Sequence, residues 1–409
     1  MATLSETSHV SFAAFSHDST HVVTASDDGN ARVWDVGSGR CILILRGHSR
    51  PVNWAAFSAN QTRIATASND GTMLVWDAHS GRLLKKLRGP DPTGWVLSGE
   101  FSPDSTRIVT TTVDPEDDKH KQEEAPRVWD IASGRGVVLR GHMGRVRSAT
   151  FSPNGSRIVT ASYDNTARIW DAQSGTVLRA LQGHHGPVCS AAFSPDGSRI
   201  VTASDDWTGV LWDADSGRSL RVLKGHKGAL FSAIFNKDGT RVLTASIDGT
   251  ARLWDSQYGT SLALLQRHLD PVHLDPVVAA TFSPDGRRVV TTFSDNTVEL
   301  WDASTGDSSE VLPSPANSEG SSVASAVISP DGTRILTISD TEDLLSTENS
   351  VLVRLLFPDS QSMIDYAHCI VPRRVPAALT EGLSGGPEPV PKSGRYSCQL
   401  PTIDALRNQ

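Results

Sequence analysis

Seven of the ten tryptophans in this 409-residue chain stand in the dipeptide Trp-Asp, and they recur at a steady interval. Trp34, Trp76, Trp129, Trp170, Trp212, Trp254 and Trp301 are spaced by 42, 53, 41, 42, 42 and 47 residues. A period of about 40 residues marks one supersecondary unit repeated along the chain. It overrides the two or three domains that length alone suggests at roughly 150 residues each. The unit at 183–223 reads GHHGPVCSAAFSPDGSRIVTASDDWTGVLWDADSGRSLRVL. Four short β-type runs are visible in it: Val188–Phe193, Arg199–Ala203, Gly209–Asp213 and Ser219–Leu223. Turn residues separate them as SPDGS, SDDW and ADSG, which predicts an up-and-down meander. The runs are rich in Ala, Ser and Thr, so neighbouring sheets can approach closely. Closing such sheets into a ring buries both faces and leaves only short edges.

With seven Trp-Asp copies across residues 2–357, the sequence resembles the WD40 β-propeller family. The resemblance implies an all-β ring with a structural hydrogen-bond tetrad in each complete repeat: the His of Gly-His, a Ser or Thr, a turn Asp and the Trp. The matching sets are His48, Ser68, Asp70 and Trp76; His142, Ser162, Asp164 and Trp170; His184, Ser204, Asp206 and Trp212; and His226, Ser246, Asp248 and Trp254. A buried Asp and His are tolerable only when mutually satisfied, and the indole N–H needs an acceptor as well. A His–Asp–Ser set also resembles a hydrolase triad, but a catalytic site would occur once rather than four times.

Other copies depart from the pattern. The first has Glu6 at the His position, judged by its distance to Phe15. The third has Gly89-Pro90 instead of Gly-His and an insertion after Asp114. The seventh has Phe293 where Ser is expected, and the duplication HLDPVHLDPV lengthens the loop before it. His268 and His273 in that duplication find no carboxylate or Cys cluster to complete four ligands, so no metal is expected. An eighth, degenerate copy follows Trp301, with Leu355 at the Trp position and no outer strand of its own. The chain start, Ala2-Thr3-Leu4, resembles the end of an outer strand. Pairing the two chain ends would resolve an exposed edge, which favours eight blades; the competing picture has seven, with the eighth copy packed irregularly.

Beyond the propeller, 358–374 is expected to hold a short helix at Ser362–Cys369. Its IDYA…IVPR pattern is similar to a segment that follows propellers in some bacterial members. Residues 375–409 read as a flexible Pro/Gly-rich tail. The loop 114–126 concentrates charge: six acids and two Lys between Asp114 and Glu124 give −4, half of the net −8. A pI near 5.9 argues against nucleic acid as a partner, which would need a basic footprint. No apolar run approaches the ~20 residues of a membrane span, and MATLSETSHV lacks the segments of a secretory signal, so the expected location is cytoplasmic. Cys41, Cys189, Cys369 and Cys398 are isolated, and no phosphate-cradling loop, HExxH or nucleophile elbow is present. No enzyme activity and no cofactor are expected.

Function is then expected at a surface. In the WD40 family, the residues flanking the first-strand apolar anchor, and the residue before the tetrad Asp, face a partner. Those positions give Trp95 and Leu97 around Val96, Arg145 and Arg147 around Val146, Cys189 after Val188 and Phe231 after Leu230. The turn position gives Asp27, Asn69, Tyr163, Asp205 and Ile247, with Trp207 on the same rim. Aromatics and arginines dominate interaction hot spots. The expectation is a monomeric, non-enzymatic scaffold that binds a protein or peptide through blades three to six. The alternative is a regulatory or sensing module working with a separate or fused signalling enzyme, such as a kinase or protease-like domain.

Overall fold

The computed structural model describes residues 2–6, 8–89, 94–113, 125–267, 275–295, 297–312, 321–341 and 349–356. The expected helix at 362–369, the tail, most of the acidic loop, and His268 and His273 lie outside them. The described chain forms eight four-stranded antiparallel sheets, each a blade. Blades one to seven are meanders built from 10–46, 52–88, 95–138, 146–181, 188–223, 230–266 and 277–312.

Blade eight is assembled from both ends of this range. Its sheet order is Ala2–Glu6, Asn349–Leu355, Arg334–Thr341 and Ser321–Ile328. The first strand runs antiparallel to Asn349–Leu355, with Leu4 opposite Val351 and Glu6 opposite Asn349. Eight blades therefore close, and the seven-blade alternative is set aside. One detail is corrected: Ile335 pairs with Arg354, as Ile158 pairs with Trp170, so Arg354 and not Leu355 holds the Trp register in blade eight.

The sequence dictates the local geometry of each blade. In blade five, Ser194 Oγ donates to Asp196 at 2.5 Å, and the Arg199 N–H donates back to Ser194 Oγ at 2.9 Å. Gly197 takes the left-handed φ of +71° that this turn requires. In the next hairpin on the same side, Asp213 accepts the Ser216 N–H at 2.7 Å. Side chains thus satisfy turn amides that would otherwise face only solvent.

Apolar packing lies between blades rather than within one centre. Each of eight buried clusters joins a pair of neighbours. One links blades eight and one through Leu4, Val10, Trp34, Leu336, Ile338 and Val351. Another links blades four and five through Val159, Ile169, Leu181, Val188, Ile200 and Trp212. The clusters between blades seven and eight and between eight and one complete the circuit.

A belt of arginines, not anticipated from the motif, reinforces these seams. Arg63, Arg107, Arg157 and Arg199 donate to the backbone oxygens of Ser105, Gly155, Gly197 and Gly239 in the following blade, at 2.7, 2.7, 2.9 and 2.9 Å. The guanidiniums of Arg107, Arg157 and Arg199 also lie over Phe151, Phe193 and Phe235. Blade one has His21 at this register, and it bonds Thr20 of its own turn at 2.7 Å.

One carboxyl at a seam is out of character. Glu100 stands where blades one, two and five have Ala14, Ala56 and Ala192, and it points toward blade four, where the Phe151 N–H is its polar support. Burial pushes its pKa up to about 8, against that single favourable contact. The unfolded chain ionises near pH 4.5 while the folded one stays protonated until about pH 8. The folded state thus binds more protons in that window, and stability falls with rising pH. The stability deficit of the wild type relative to Glu100→Gln is expected to grow between about pH 4.5 and 8 and level off above. Melting temperatures of the two proteins at matched pH check it; a constant difference would refute the buried carboxyl.

Candidate functional site

The repeated polar network runs through threonine. In blade five the Trp212 indole N–H donates to Thr202 Oγ1 at 2.9 Å, and His184 Nε2 meets the same oxygen at 2.7 Å. His184 Nδ1 lies 2.8 Å from Asp206 Oδ2. An indole can only donate, so Thr202 accepts from Trp212 and donates to Nε2. Nδ1–H then donates to the carboxylate. Burial lowers the pKa of His184 despite the opposing pull of Asp206, so the ring is neutral at pH 7. Burial would raise Asp206, but the Thr208 hydroxyl, the His185 N–H and His184 outweigh it and hold the carboxylate ionised. Thr66, Thr160 and Thr244 occupy the same place in blades two, four and six.

This corrects the serine assignment. Ser68, Ser162, Ser204 and Ser246 stand two residues later on the same strand face and donate to the backbone oxygens of Arg50, Gly144, Gly186 and Gly228, at 3.0, 3.0, 3.0 and 3.1 Å. Three of them also accept the N–H of Asp164, Asp206 or Asp248, and Ser68 accepts that of Asp70. No serine hydroxyl of the sets is bonded to its histidine; the hydroxyls that are, on Thr66, Thr160, Thr202 and Thr244, are fully buried and each accepts a Trp indole N–H, which fits a structural network.

Two departing blades rebuild the network with charge. In blade one Glu6 Oε1 accepts from Thr24 at 2.5 Å, while Arg32 bridges Glu6 Oε2 at 2.9 Å and Asp28 at 2.6 Å. In blade seven Arg267 pairs with Asp295 at 2.6 Å and Glu299 at 3.2 Å, and its guanidinium lies 3.8 Å from the Phe293 ring centre. Phe293 leaves the Trp301–Thr291 bond intact at 2.8 Å. These groups hold blades together; among the described residues no group of three or more His, Cys, Asp or Glu could hold a metal.

The candidate surface is built by a backbone irregularity. Every inner strand shifts register just after its apolar anchor, as between Val146 and Ser148 or Leu230 and Ser232. The extra residue is left out of the ladder and its side chain re-aimed. In blades one to seven those residues are Ser11, Asn53, Leu97, Arg147, Cys189, Phe231 and Val278. Each has a turn partner sixteen positions on. Ser11 donates to Asp27 at 3.0 Å, Asn53 to Asn69 at 2.6 Å and the Cys189 thiol to Asp205 at 3.1 Å. Blades one, two and five are thus satisfied internally. The corresponding pairs in blade four, Arg147 with Tyr163, and in blade six, Phe231 with Ile247, have no such hydrogen bond.

Large apolar side chains are exposed in the same sector, as others are on the outer strands. Tyr163 is 41% exposed, Trp207 54% and Ile247 47%. Met143, which follows the tetrad His and was not anticipated, is 78% exposed on the same side. Its signal was present in the sequence as an apolar residue at a loop position where copies two, five and six carry Ser49, His185 and Lys227. Arg147 and Asp205 are exposed; Trp95, Leu97, Arg145 and Phe231 are half-buried. Trp95 sits at the blade-three rim opposite Val113, and the Arg145 backbone oxygen accepts the Tyr163 N–H at 2.9 Å. Trp54 is instead core, buried against Phe12. The Cys189 thiol is pushed up to about 12 by burial and by Asp205, so it is inert as a nucleophile.

Trp207 stands out in its backbone. Its φ is +71°, at the turn position where Gly29, Gly71 and Gly249 have +79°, +77° and +77°. A bulky side chain there costs on the order of 1–3 kcal/mol that glycine avoids, and such strain clusters at functional surfaces.

Comparison with known proteins agrees with this architecture. The family model "WD domain, G-beta repeat" matches residues 1–35, 39–77, 135–171, 175–213, 217–255 and 262–302. The chain is 39% identical over 159 residues to the mouse (Mus musculus) Periodic tryptophan protein 2 homolog, covering 39% of this chain and 16% of that protein. It is 33% identical over 87 residues to Protein tipD of Dictyostelium discoideum, covering 21% of this chain and 13% of that one. It is 33% identical over 75 residues to the Ribosome biogenesis protein BOP1 homolog of Monosiga brevicollis, covering 18% of this chain and 9% of that one. The matches thus span about a sixth or less of these relatives. All three are eukaryotic and lend no support to the expected kinship with bacterial members. The crystal structure of the computationally designed Ika8 protein superposes with a TM-score of 0.69 at 24% identity, covering 86% of this chain and 98% of that one, and shares the fold. With family repeats across more than half its length and the ring they imply, the chain belongs to the WD40 family.

Proposed function

We propose that this chain is a non-enzymatic scaffold that captures a protein or peptide partner through the bulge face of blades three to six. The observation that carries the reading is the contrast around the ring. Bulge and turn side chains bond to each other in blades one, two and five, whereas Arg147–Tyr163 and Phe231–Ile247 do not, and Tyr163, Ile247 and the strained Trp207 are exposed. Arginine and aromatic side chains are what concentrates binding energy at interfaces. WD40 membership and the relatives above support the scaffold role; the chemistry of the face is this chain's own.

Affinity capture tests it. Arg147→Ala combined with Phe231→Ala is expected to cut retention of the captured partners about 100-fold, the loss two hot-spot side chains bring, with the melting temperature almost unchanged. Trp207→Gly is expected to hold or raise the melting temperature while also reducing capture. Equal capture by wild type and the double variant would refute the face.

A further inference from the structure

The charges on this face narrow what it takes. Several arginines elsewhere in the ring are ion-paired: Arg32 with Glu6 and Asp28, Arg157 with Asp215, Arg267 with Asp295 and Glu299. Arg147, exposed on its bulge, has no ion pair among the described residues, and Arg145 beside it keeps its Nε buried without a hydrogen-bond partner. Arg147 lies near enough to Cys189 of the next blade to act on the thiol's charge. There Asp205, already accepting the thiol, adds a negative charge. Beyond it come Phe231, Ile247 and Trp207, and on the other side Met143 and Tyr163.

We propose that the face takes an extended peptide in which a single carboxylate side chain is flanked by aromatic or aliphatic residues. The carboxylate sits on Arg147, and the apolar neighbours sit on Tyr163, on Trp207 and on the Phe231–Ile247 pair. An unpaired guanidinium at a rim is the donor fork that a carboxylate matches. Asp205 one blade away repels a second acid, which selects against a polyacidic run and against a phosphate backbone. This rests on the scaffold reading and adds the partner's chemistry.

The test uses the full chain and fluorescein-labelled peptides with one glutamate between leucine and phenylalanine, the same peptides with glutamine or lysine in its place, and an oligouridine, read by fluorescence anisotropy. The glutamate peptide is expected to bind about 10-fold more tightly than the glutamine one, as a charge-assisted pair requires. Arg147→Glu should invert the order so that the lysine peptide binds best, and raised salt should weaken the glutamate peptide most. Phe231→Ala with Ile247→Ala should weaken all three peptides alike. Equal binding of glutamate and glutamine peptides, or no binding of the glutamate peptide at millimolar concentration, overturns the carboxylate assignment. If the apolar double variant still reduces capture of cellular partners, the scaffold face survives that failure; if it does not, both fall. Oligouridine binding that disappears with Arg147→Glu overturns the proposal in favour of RNA.

Discussion

Deleting Ala2–Glu6 is expected to open blade eight and destabilise the whole ring, with the melting temperature falling by many degrees and amide protection lost first at 349–355 and in blade one. The strand supplies a full antiparallel partner to Asn349–Leu355, whose edge would otherwise stand bare. Leu4, fully buried, is in the cluster that joins blade eight to Val10, Val22 and Trp34 of blade one. Glu6 in turn anchors Thr24 and Arg32. Three contributions are lost together, and Leu4→Ala alone should cost about 2–5 kcal/mol through transfer and cavity terms. Denaturant unfolding of wild type, Leu4→Ala and the deletion gives the order. A deletion protein that melts with the wild type would mean that the ring does not depend on this closure.

Thr202→Val should be far more damaging than Ser204→Ala. Valine keeps the shape and β-branching of threonine but leaves the Trp212 N–H and His184 Nε2 facing an apolar group. Each orphaned buried polar group costs about 1–3 kcal/mol, so a loss of about 2–5 kcal/mol is expected. Ser204 serves the Gly186 oxygen and the Asp206 N–H, a local turn whose loss should cost about 1 kcal/mol. Urea unfolding of both variants decides. A Ser204→Ala loss equal to or above that of Thr202→Val would return the serine to the network.

The fold was largely legible because its information is periodic. In the unit at 183–223, three of the four strands begin and end where the pattern put them, and the second runs one residue further, to Ser204. Glu6 was placed correctly by counting back from Phe15, since distance along a repeat survives a change of residue. What failed was choosing between positions that one strand face makes equivalent. Thr202 and Ser204 lie two residues apart and point the same way, so only hydrogen-bond geometry tells the network member from its neighbour. The degenerate eighth copy offered no Trp to fix its register, which put Leu355 where Arg354 belongs. The clamps of Arg63, Arg107, Arg157 and Arg199 reach another repeat, and motif spacing within one repeat is blind to them. Arg32, between Glu6 and Asp28, is likewise a product of folding. Among the positions expected to face a partner are those on the bulge, which releases one side chain per inner strand from the sheet.

That release separates two kinds of evolutionary constraint. A residue on the bulge is outside the strand ladder, and the blade-to-blade clusters hold its anchor rather than the residue itself. Serine, asparagine, leucine, arginine, cysteine, phenylalanine and valine all occupy the position within this one chain. The molecule has in effect carried out its own substitution series at constant architecture. A library varied only at these positions should therefore retain folded members across most of its diversity, and the ring can be retargeted by exchanging a handful of letters without revising the scaffold that displays them.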